Sequence, residues 1–373
     1  MERTLTHSLI AVVISALAAI RSYRRKSLDL SGAVAGFLVM TIHFAVGYRF
    51  GAMLLAFFFT SSMLTKVGED KKRQVDADFK EGGQRNWDND LDFNLLMNRS
   101  KNLRYGNSQF IHFRIQVLYN SGIAAVLSVL IGNLTGWEDK CLDSNDSVLI
   151  TSLIGGIIGH YSCCNGDTWS SEIGVLSSDQ PRLITTFKEL LERISFLDHL
   201  DTVLMHLSYP FNQPNIAVND YQSVRRGTNG GVTKTGLLAA LAAGSVIGLT
   251  FVLVGFLTTR CSNEMAMKQL LVIPLSAVAG LLGSIIDSLL GATLQFSGFC
   301  SVRNKIFRPS KLKTSSYHAM INEPFNAARI VVGKPGPTVK RISGLNFLDN
   351  NAVNLVSILL TTLLTSFASV YIF

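Results

Sequence analysis

Eight stretches of this 373-residue chain are apolar enough, and nearly long enough, to cross a bilayer, which leaves few folds open to it. A helix needs about 17 to 25 mostly apolar residues to span the ~30 Å hydrocarbon layer. Inside that layer each backbone N–H and C=O must be satisfied by the protein itself, so spanning segments are helices or closed barrels. The candidate spans lie near residues 5–20, 28–46, 50–65, 115–134, 148–163, 235–258, 270–291 and 351–372. Mean hydropathy is +0.30 and only 16% of residues are charged, more apolar than a soluble core of this length requires. The expectation is an all-α fold, a polytopic transmembrane helical bundle of about eight spans. Six to eight are compatible with the pattern, because the first three and the fifth stretches are short or carry polar residues. The first also resembles a signal peptide, but Arg21, Arg24, Arg25 and Lys26 directly after it favour a retained anchor.

Charge then orients the bundle. Lys and Arg beside spans are held on the cytosolic side. With the loops grouped alternately, 29 of the 34 Lys and Arg residues fall on one side. Arg3, Arg49, Lys140, Arg260 and Lys268 make up the other. Both termini are therefore expected on the non-cytosolic side. The net charge of +8 reads as topology and attraction to anionic lipid or phosphate, with no nucleic acid as partner. The five cysteines lack metal-ligand spacing; Cys163 and Cys164 read as packing residues, while Cys141 and Cys261 share the outer side and could pair. Asn133 and Asn145 head glycosylation sequons on that side, Asn145 being the better placed.

The chain reads as a single integral membrane domain, 1–373, without a linker between soluble units. Polar segments near 88–114, 189–222 and 306–330 interrupt it on the cytosolic side. Leu190, Leu191, Ile194, Leu197 and Leu204 in the middle one have near-helical spacing, although a solvated loop is the preferred reading.

Ionisable residues at the bilayer are costly and turn towards a bundle interior or an aqueous cavity. Asp167 directly follows an apolar span, in the run Asn165-Gly166-Asp167-Thr168-Trp169-Ser170-Ser171-Glu172. Asp167 and Glu172, with oxygens from Asn165 and Thr168, are hard ligands of the kind Mg²⁺ accepts beside waters and substrate phosphates. An equally weighted reading has Gly166 breaking the helix and Asp167 capping the next one. Asp287 lies in a second such run, where Gly280, Ser284, Ser288 and Gly291 form a small-residue packing face. Packing does not require a carboxylate, so Asp287 is expected to approach Asp167, the two serving as catalytic and metal-binding residues.

Two basic, glycine-containing loops precede inside-to-outside spans. In the first, Arg226, Gly227, Thr228, Asn229, Gly230 and Gly231 could hold a nucleotide phosphate. Glycines let backbone N–H groups approach an anion, and the following helix offers its positive end. A lone turn of this kind is nevertheless more often only a turn. The second, Lys334-Pro335-Gly336-Pro337 with Lys340 and Arg341, reads as a positive-inside flank. Asn350, Asn351 and Asn354 enter the last span together and should face protein or water. Phosphoryl transfer needs a metal, cationic clamps and positioning more than covalent chemistry, and these groups share one face. No Walker A sequence, Rossmann fingerprint, HExxH or GxSxG is present.

These runs, together with Gly82-Gly83-Gln84-Arg85-Asn86-Trp87, Pro181-Arg182-Leu183-Ile184-Thr185-Thr186 and Leu348-Asp349-Asn350-Asn351-Ala352-Val353-Asn354, resemble the transmembrane protein 19 family, most of all its plant PGR branch. The resemblance implies a multi-pass helical membrane fold. The same broad family includes the plastid phytyl-phosphate kinase, and its Asp-Thr motif is similar to those of CTP-dependent polyprenol kinases. Carried over, this implies Asp167, Glu172 and Asp287 around Mg²⁺ or nucleotide phosphate, with residues 227–231 as the phosphate loop. The partners so implied are the lipid bilayer and an isoprenoid phosphate, with a nucleotide such as CTP as co-substrate. For the PGR branch the resemblance implies a role in plant growth and sugar response without an assigned reaction. A non-enzymatic membrane regulator, or a transporter, is therefore the alternative to a lipid kinase. In relatives Trp87 runs almost directly into Ile115, Lys188 nearly reaches Arg225, and Lys305 nearly reaches Val331. The three polar segments thus interrupt motifs, as loop insertions or, in the preferred reading, retained noncoding sequence. The plasma membrane or endoplasmic reticulum is favoured over the plastid envelope, since no clear transit peptide is seen.

Overall fold

The computed structural model describes residues 2–25, 28, 30–75, 106–185, 223–300, 305–307, 339–345 and 347–373. Expectations for the glycine-rich run at 82–87, the amphipathic pattern near 190–204 and most of the three polar segments lie outside these residues. Helices α1 (Glu2–Arg24), α2 (Leu30–Val46), α3 (Tyr48–Lys66), α4 (Glu69–Val75), α5 (Gly106–Thr135) and α6 (Val148–Leu176) come first. The short strands β1 (Arg182–Leu183) and β2 (Gly231–Val232) lead into α7 (Lys234–Thr258), α8 (Asn263–Lys268) and α9 (Val272–Leu294). Strands β3 (Ser297–Cys300), β4 (Lys305–Phe307) and β5 (Val339–Ser343) then precede α10 (Asn350–Ile372). Two small antiparallel sheets, β1–β2 and β4–β3–β5, therefore sit on an otherwise helical membrane bundle.

Every stretch read as a span falls on a helix, but the count of eight crossings is not reached by length and apolarity. Among the described residues four helices qualify: α6, α7, the continuous Asn263–Leu294 segment, and α10. The α3–α4 pair, bent by 73°, would make a fifth. Helix α2 and the Asn120–Thr135 part of α5 are apolar but shorter.

Helix α6 is the axis of the bundle, buried along most of its length and packed on α3, α5, α7, α9 and α10. Ser147 caps it, its Oγ accepting from the Ile150 N–H at 3.3 Å. Lipid gives helices no hydrophobic drive to associate, so close packing and interhelical hydrogen bonds must hold them. Glycine supplies the closeness. A Cβ on Gly155 would lie 2.6 Å from the Ser369 Cβ, and one on Gly159 2.6 Å from the Thr365 Cβ, both on α10. A Cβ on Gly166 would lie 2.5 Å from the Gly280 carbonyl oxygen on α9. The helix does not break at Gly166, which corrects one of the two readings of that position. The missing side chain admits a neighbouring backbone instead of ending the helix.

Polar side chains stitch the same interfaces. Asn165 is fully buried; its Nδ2 donates to the Ala243 carbonyl of α7 at 2.9 Å, while its Oδ1 accepts from Thr60 at 3.0 Å and Ser61 at 3.2 Å on α3. Its oxygen is thus spent inside the bundle and not offered to a ligand. Deeper in, the Tyr161 hydroxyl of α6 and His43 Nε2 of α2 lie 2.7 Å apart.

The other end of the bundle is fastened shut. Arg49, 1% exposed, pairs with Asp139 at 2.7 Å, lies 4.4 Å over the Phe251 ring and donates to the Lys140 carbonyl. Thr259 donates to the same Asp139 at 2.7 Å. Cys141 and Cys261 form a disulfide, and Gln269 binds both the N–H and the carbonyl of Leu142. The C-terminus arrives there too, the Phe373 carbonyl accepting from the Ser144 N–H. This is the end assigned to the non-cytosolic side by charge, so Arg49 is an exception with a local reason.

Candidate functional site

At the opposite end α6, α9 and α10 bring two carboxyl groups together. The Asp287 side chain of α9 meets the Asp167 side chain of α6 within hydrogen-bonding range. Both are only partly buried. From α10, the Ser357 Oγ donates to Asp287 Oδ1 at 3.2 Å. The Asn354 amide, oriented by its partners, donates to that same oxygen at 3.2 Å and to the Asn350 carbonyl at 2.9 Å. Ser284 and Ser170, each three residues from its aspartate, join α9 to α6 at 2.8 Å. Beneath the pair, the buried Cys163 thiol lies within hydrogen-bonding range of Thr361 and Ser357 and close enough to both carboxyl groups to feel their charge.

Two carboxyl groups in contact require a proton or a cation between them. Among the described residues no group of three His, Cys, Asp or Glu side chains is arranged to hold a metal. Mg²⁺ asks for less, usually one or two carboxylates with the remaining positions filled by water and substrate phosphate. Asp167 and Asp287 fit that requirement.

Glu172 stands apart from this pair in its contacts. Five residues beyond Asp167 on a continuous helix, it is rotated by roughly 140° around the axis, and it pairs with Lys72 of α4 at 2.5 Å. Lys72 is buried and also donates to the last carbonyls of α3, Leu64 at 2.7 Å and Thr65 at 3.2 Å. It thereby satisfies a helix C-terminus that would otherwise face the interior unpaired. Gly68, with φ +65°, makes the turn that folds α4 back.

The Arg226 to Gly231 loop lies against α9, one turn beyond Asp287. A Cβ on Gly230, whose φ is +77°, would lie 2.7 Å from the Ser288 carbonyl and 2.3 Å from the Ala292 Cβ. Three of the N–H groups expected to cradle phosphate are already used: Thr228 on the Arg225 carbonyl, Gly231 on the Thr228 carbonyl, and Asn229 on the Ser297 hydroxyl at 3.0 Å. Arg226 donates to the Val175 carbonyl at the end of α6. The positive end of α7 is occupied as well. Asp179 accepts from the Thr235 hydroxyl at 2.7 Å and its N–H at 3.0 Å, and those bonds hold its carboxyl below the usual range. Thr233 caps the same helix through the Gly236 N–H.

Sequence reasoning placed Asp167 with Asp287 and drew Asn354 towards protein, but it missed Ser357, Lys72 and Asp179. Ser357 was legible, since it follows Asn354 at i+3 and shares its helix face. Lys72 was not, because in a run of charged residues nothing marks one that turns inward.

Comparison with known proteins agrees with this architecture. The chain is 57% identical over 365 residues, covering 98% of its own length and 97% of the relative, to Protein PGR of Arabidopsis thaliana. It is 22% identical over 299 residues, 79% of this chain and 86% of the relative, to an uncharacterized membrane protein of Methanocaldococcus jannaschii. No solved structure matches it. The family described as integral membrane protein DUF92 matches residues 13–92, 103–192 and 208–362. The stretches left between these parts fall inside two of the three polar segments. With nearly its whole length matched, and a helical bundle to accommodate the match, the chain belongs to the DUF92 family of integral membrane proteins.

Proposed function

We propose that the chain is a membrane phosphotransferase acting on an isoprenoid phosphate, with Asp167 and Asp287 holding Mg²⁺ and the phosphates of a nucleotide such as CTP at the cytosolic face. The observation that carries this reading is the contact between two carboxyl groups from separate spans at one end of the bundle. When bound, Mg²⁺ would neutralise charge on the transferred phosphoryl group. Ser357 and Asn354 hold the Asp287 carboxylate in place through the same oxygen. The Cys163 and Thr361 layer closes the site below. A phosphate oxygen of the lipid would attack the terminal phosphorus of the nucleotide. The bond to the bridging oxygen breaks, leaving a nucleoside diphosphate and a lipid diphosphate.

Glu172 and the Arg226 to Gly231 loop support the site from its flanks in this reading, the first through Lys72 and the second by packing on α9 beside Asp287. The eight-span topology belongs to the same proposal, with α1, α2, α3 and the apolar part of α5 as additional crossings. A disulfide on the far side suits an oxidising compartment, which supports the endoplasmic reticulum or plasma membrane over the plastid envelope. The rival reading is a non-enzymatic regulator or a transporter, favoured by the polar His43–Tyr161 pair inside the bundle. The fastened outer end weighs against alternating access.

Purified protein incubated with CTP, Mg²⁺ and isoprenyl monophosphates of several chain lengths should form diphosphates. Asp167→Ala and Asp287→Ala should each reduce transfer by about 10² or more, as loss of a main charge-stabilising group does. Absence of transfer across all chain lengths, or full activity in both variants, rejects the kinase reading.

A further inference from the structure

The turn between β5 and α10 carries two apolar side chains outward at a place where a cytosolic turn would be polar. Leu345 is 56% exposed and Phe347 77% exposed. Neither is loose. The Leu345 N–H donates to the Thr293 carbonyl at 2.8 Å, and the N–H groups of Phe347 and Leu348 both donate to the Leu294 carbonyl, at 3.0 and 3.1 Å. Gly344, with φ +72°, permits this fastening, since a Cβ there would collide with the Gln295 carbonyl. The turn is thus pinned to the last residues of α9, and its apolar tips are held in a fixed direction.

The exposed apolar surface continues along the two spans that the turn joins. Leu289 on α9, one turn before Thr293, is exposed, as are Leu359, Leu360 and Leu363 on α10. Arg341 is exposed on β5, three residues before Gly344, and Asp349 is exposed two residues after Phe347. Apolar tips held at the point where spans leave the bilayer are the composition of an interfacial anchor. The same turn stands at the mouth of the seam between α9 and α10. Gln295 and Asn350 meet across that seam at 3.5 Å, and Asp287 with Asn354 and Ser357 lie about one to two turns further in.

We infer that Leu345 and Phe347 form a lip set in the cytosolic leaflet, beside a seam between α9 and α10 through which a lipid-borne phosphate reaches Asp287 with its tail still in the bilayer. The second half of this inference rests on the phosphotransfer reading. The first half, leaflet insertion, does not.

The test uses the full-length chain with Cys300→Ser and Phe347→Cys, labelled with an environment-sensitive bimane. Cys163 and Cys164 are buried and Cys141 is bonded to Cys261, so labelling falls on the new thiol. In phosphatidylcholine–phosphatidylserine vesicles, brominated acyl chains should quench the label by about twofold or more while aqueous iodide has little effect, as for an interfacial anchor. Strong iodide quenching without bromolipid quenching overturns the lip. In parallel, Leu345→Asp with Phe347→Asp should raise KM for a long-chain isoprenyl phosphate by about tenfold while leaving kcat and the KM of a short, water-soluble analogue unchanged, the signature of lost binding. Equal changes for both substrates overturn the seam. No transfer to any substrate removes the phosphotransfer reading and the seam together, and the quenching result then decides the lip by itself.

Discussion

Asn165 uses both ends of its amide inside the bundle, reaching α3 and α7 from α6. Replacing it by Leu takes away the partner of the buried Ser61 hydroxyl, and a buried polar group left unpaired costs about 1–3 kcal/mol. Asn165→Leu should therefore lower the thermal unfolding midpoint in detergent, while Asn165→Asp should not rescue it because a carboxylate would set an acceptor against the Ala243 carbonyl oxygen. Asp179 gives a pH-dependent counterpart outside the spans. Hydrogen bonds from Thr235 lower its pKa in the fold, so its contribution is present above the unfolded value of about 3.9. It is lost as pH falls through the lower folded value. Asp179→Asn should flatten that acid limb of the unfolding profile and leave the neutral-pH limb with little slope change. Identical profiles for the two proteins would show that the Thr235 bonds do not form. At this scale the sequence was informative where a residue was out of place, as a carboxylate or an amide in a span is. It was silent for Lys72, whose inward turn depends on the bend at Gly68 and on carbonyls of another helix.

Helix α6 was read as ending near Cys163 and is found continuous to Leu176. The polar run after Cys163 suggested an end, because hydropathy registers what a side chain would cost in lipid. Here those residues face protein, where Asn165, Thr168 and Ser170 find partners. Gly166 should be intolerant even of Ala, since the added Cβ meets the Gly280 carbonyl and the two backbones must part. Overpacking of this kind typically costs about 1–3 kcal/mol. Parting them also separates the aspartates, so cross-linking between cysteines placed at 167 and 287 should proceed readily alone and fall when combined with Gly166→Ala. The outer elements are joined by Cys141 and Cys261 across 120 residues. Cys141→Ser should lower the unfolding midpoint by the equivalent of about 2–4 kcal/mol, and reductant should do the same to the unaltered protein only. The shared outer side of these cysteines was legible from charge, but their pairing was not, because loop ends come together only through the helices between them.

For the molecule as a whole, charge asymmetry and side-chain contacts describe the same two ends. The end rich in Lys and Arg carries the aspartate pair, and the end with the disulfide and the Arg49–Asp139 pair is the one depleted of them. A membrane-impermeant maleimide added to intact sealed vesicles of known orientation should modify Cys141 and Cys261 only after reduction and only from the non-cytosolic side. Labelling of either from the cytosolic side would reverse the topology. By itself the sequence determined the fold class and the position of the membrane helices, and it set an expected orientation, because apolar length and flanking charge are set locally by the cost of transferring side chains into lipid. It also marked Asp167 and Asp287 as residues that lipid would not tolerate. Only the tertiary structure decided what each polar residue meets: that the two aspartates touch, that Glu172 answers Lys72, and that the glycine loop spends its N–H groups on its neighbours. Those outcomes depend on how closely helix backbones approach and which faces they turn to one another, distances that glycine sets between helices far apart in the chain.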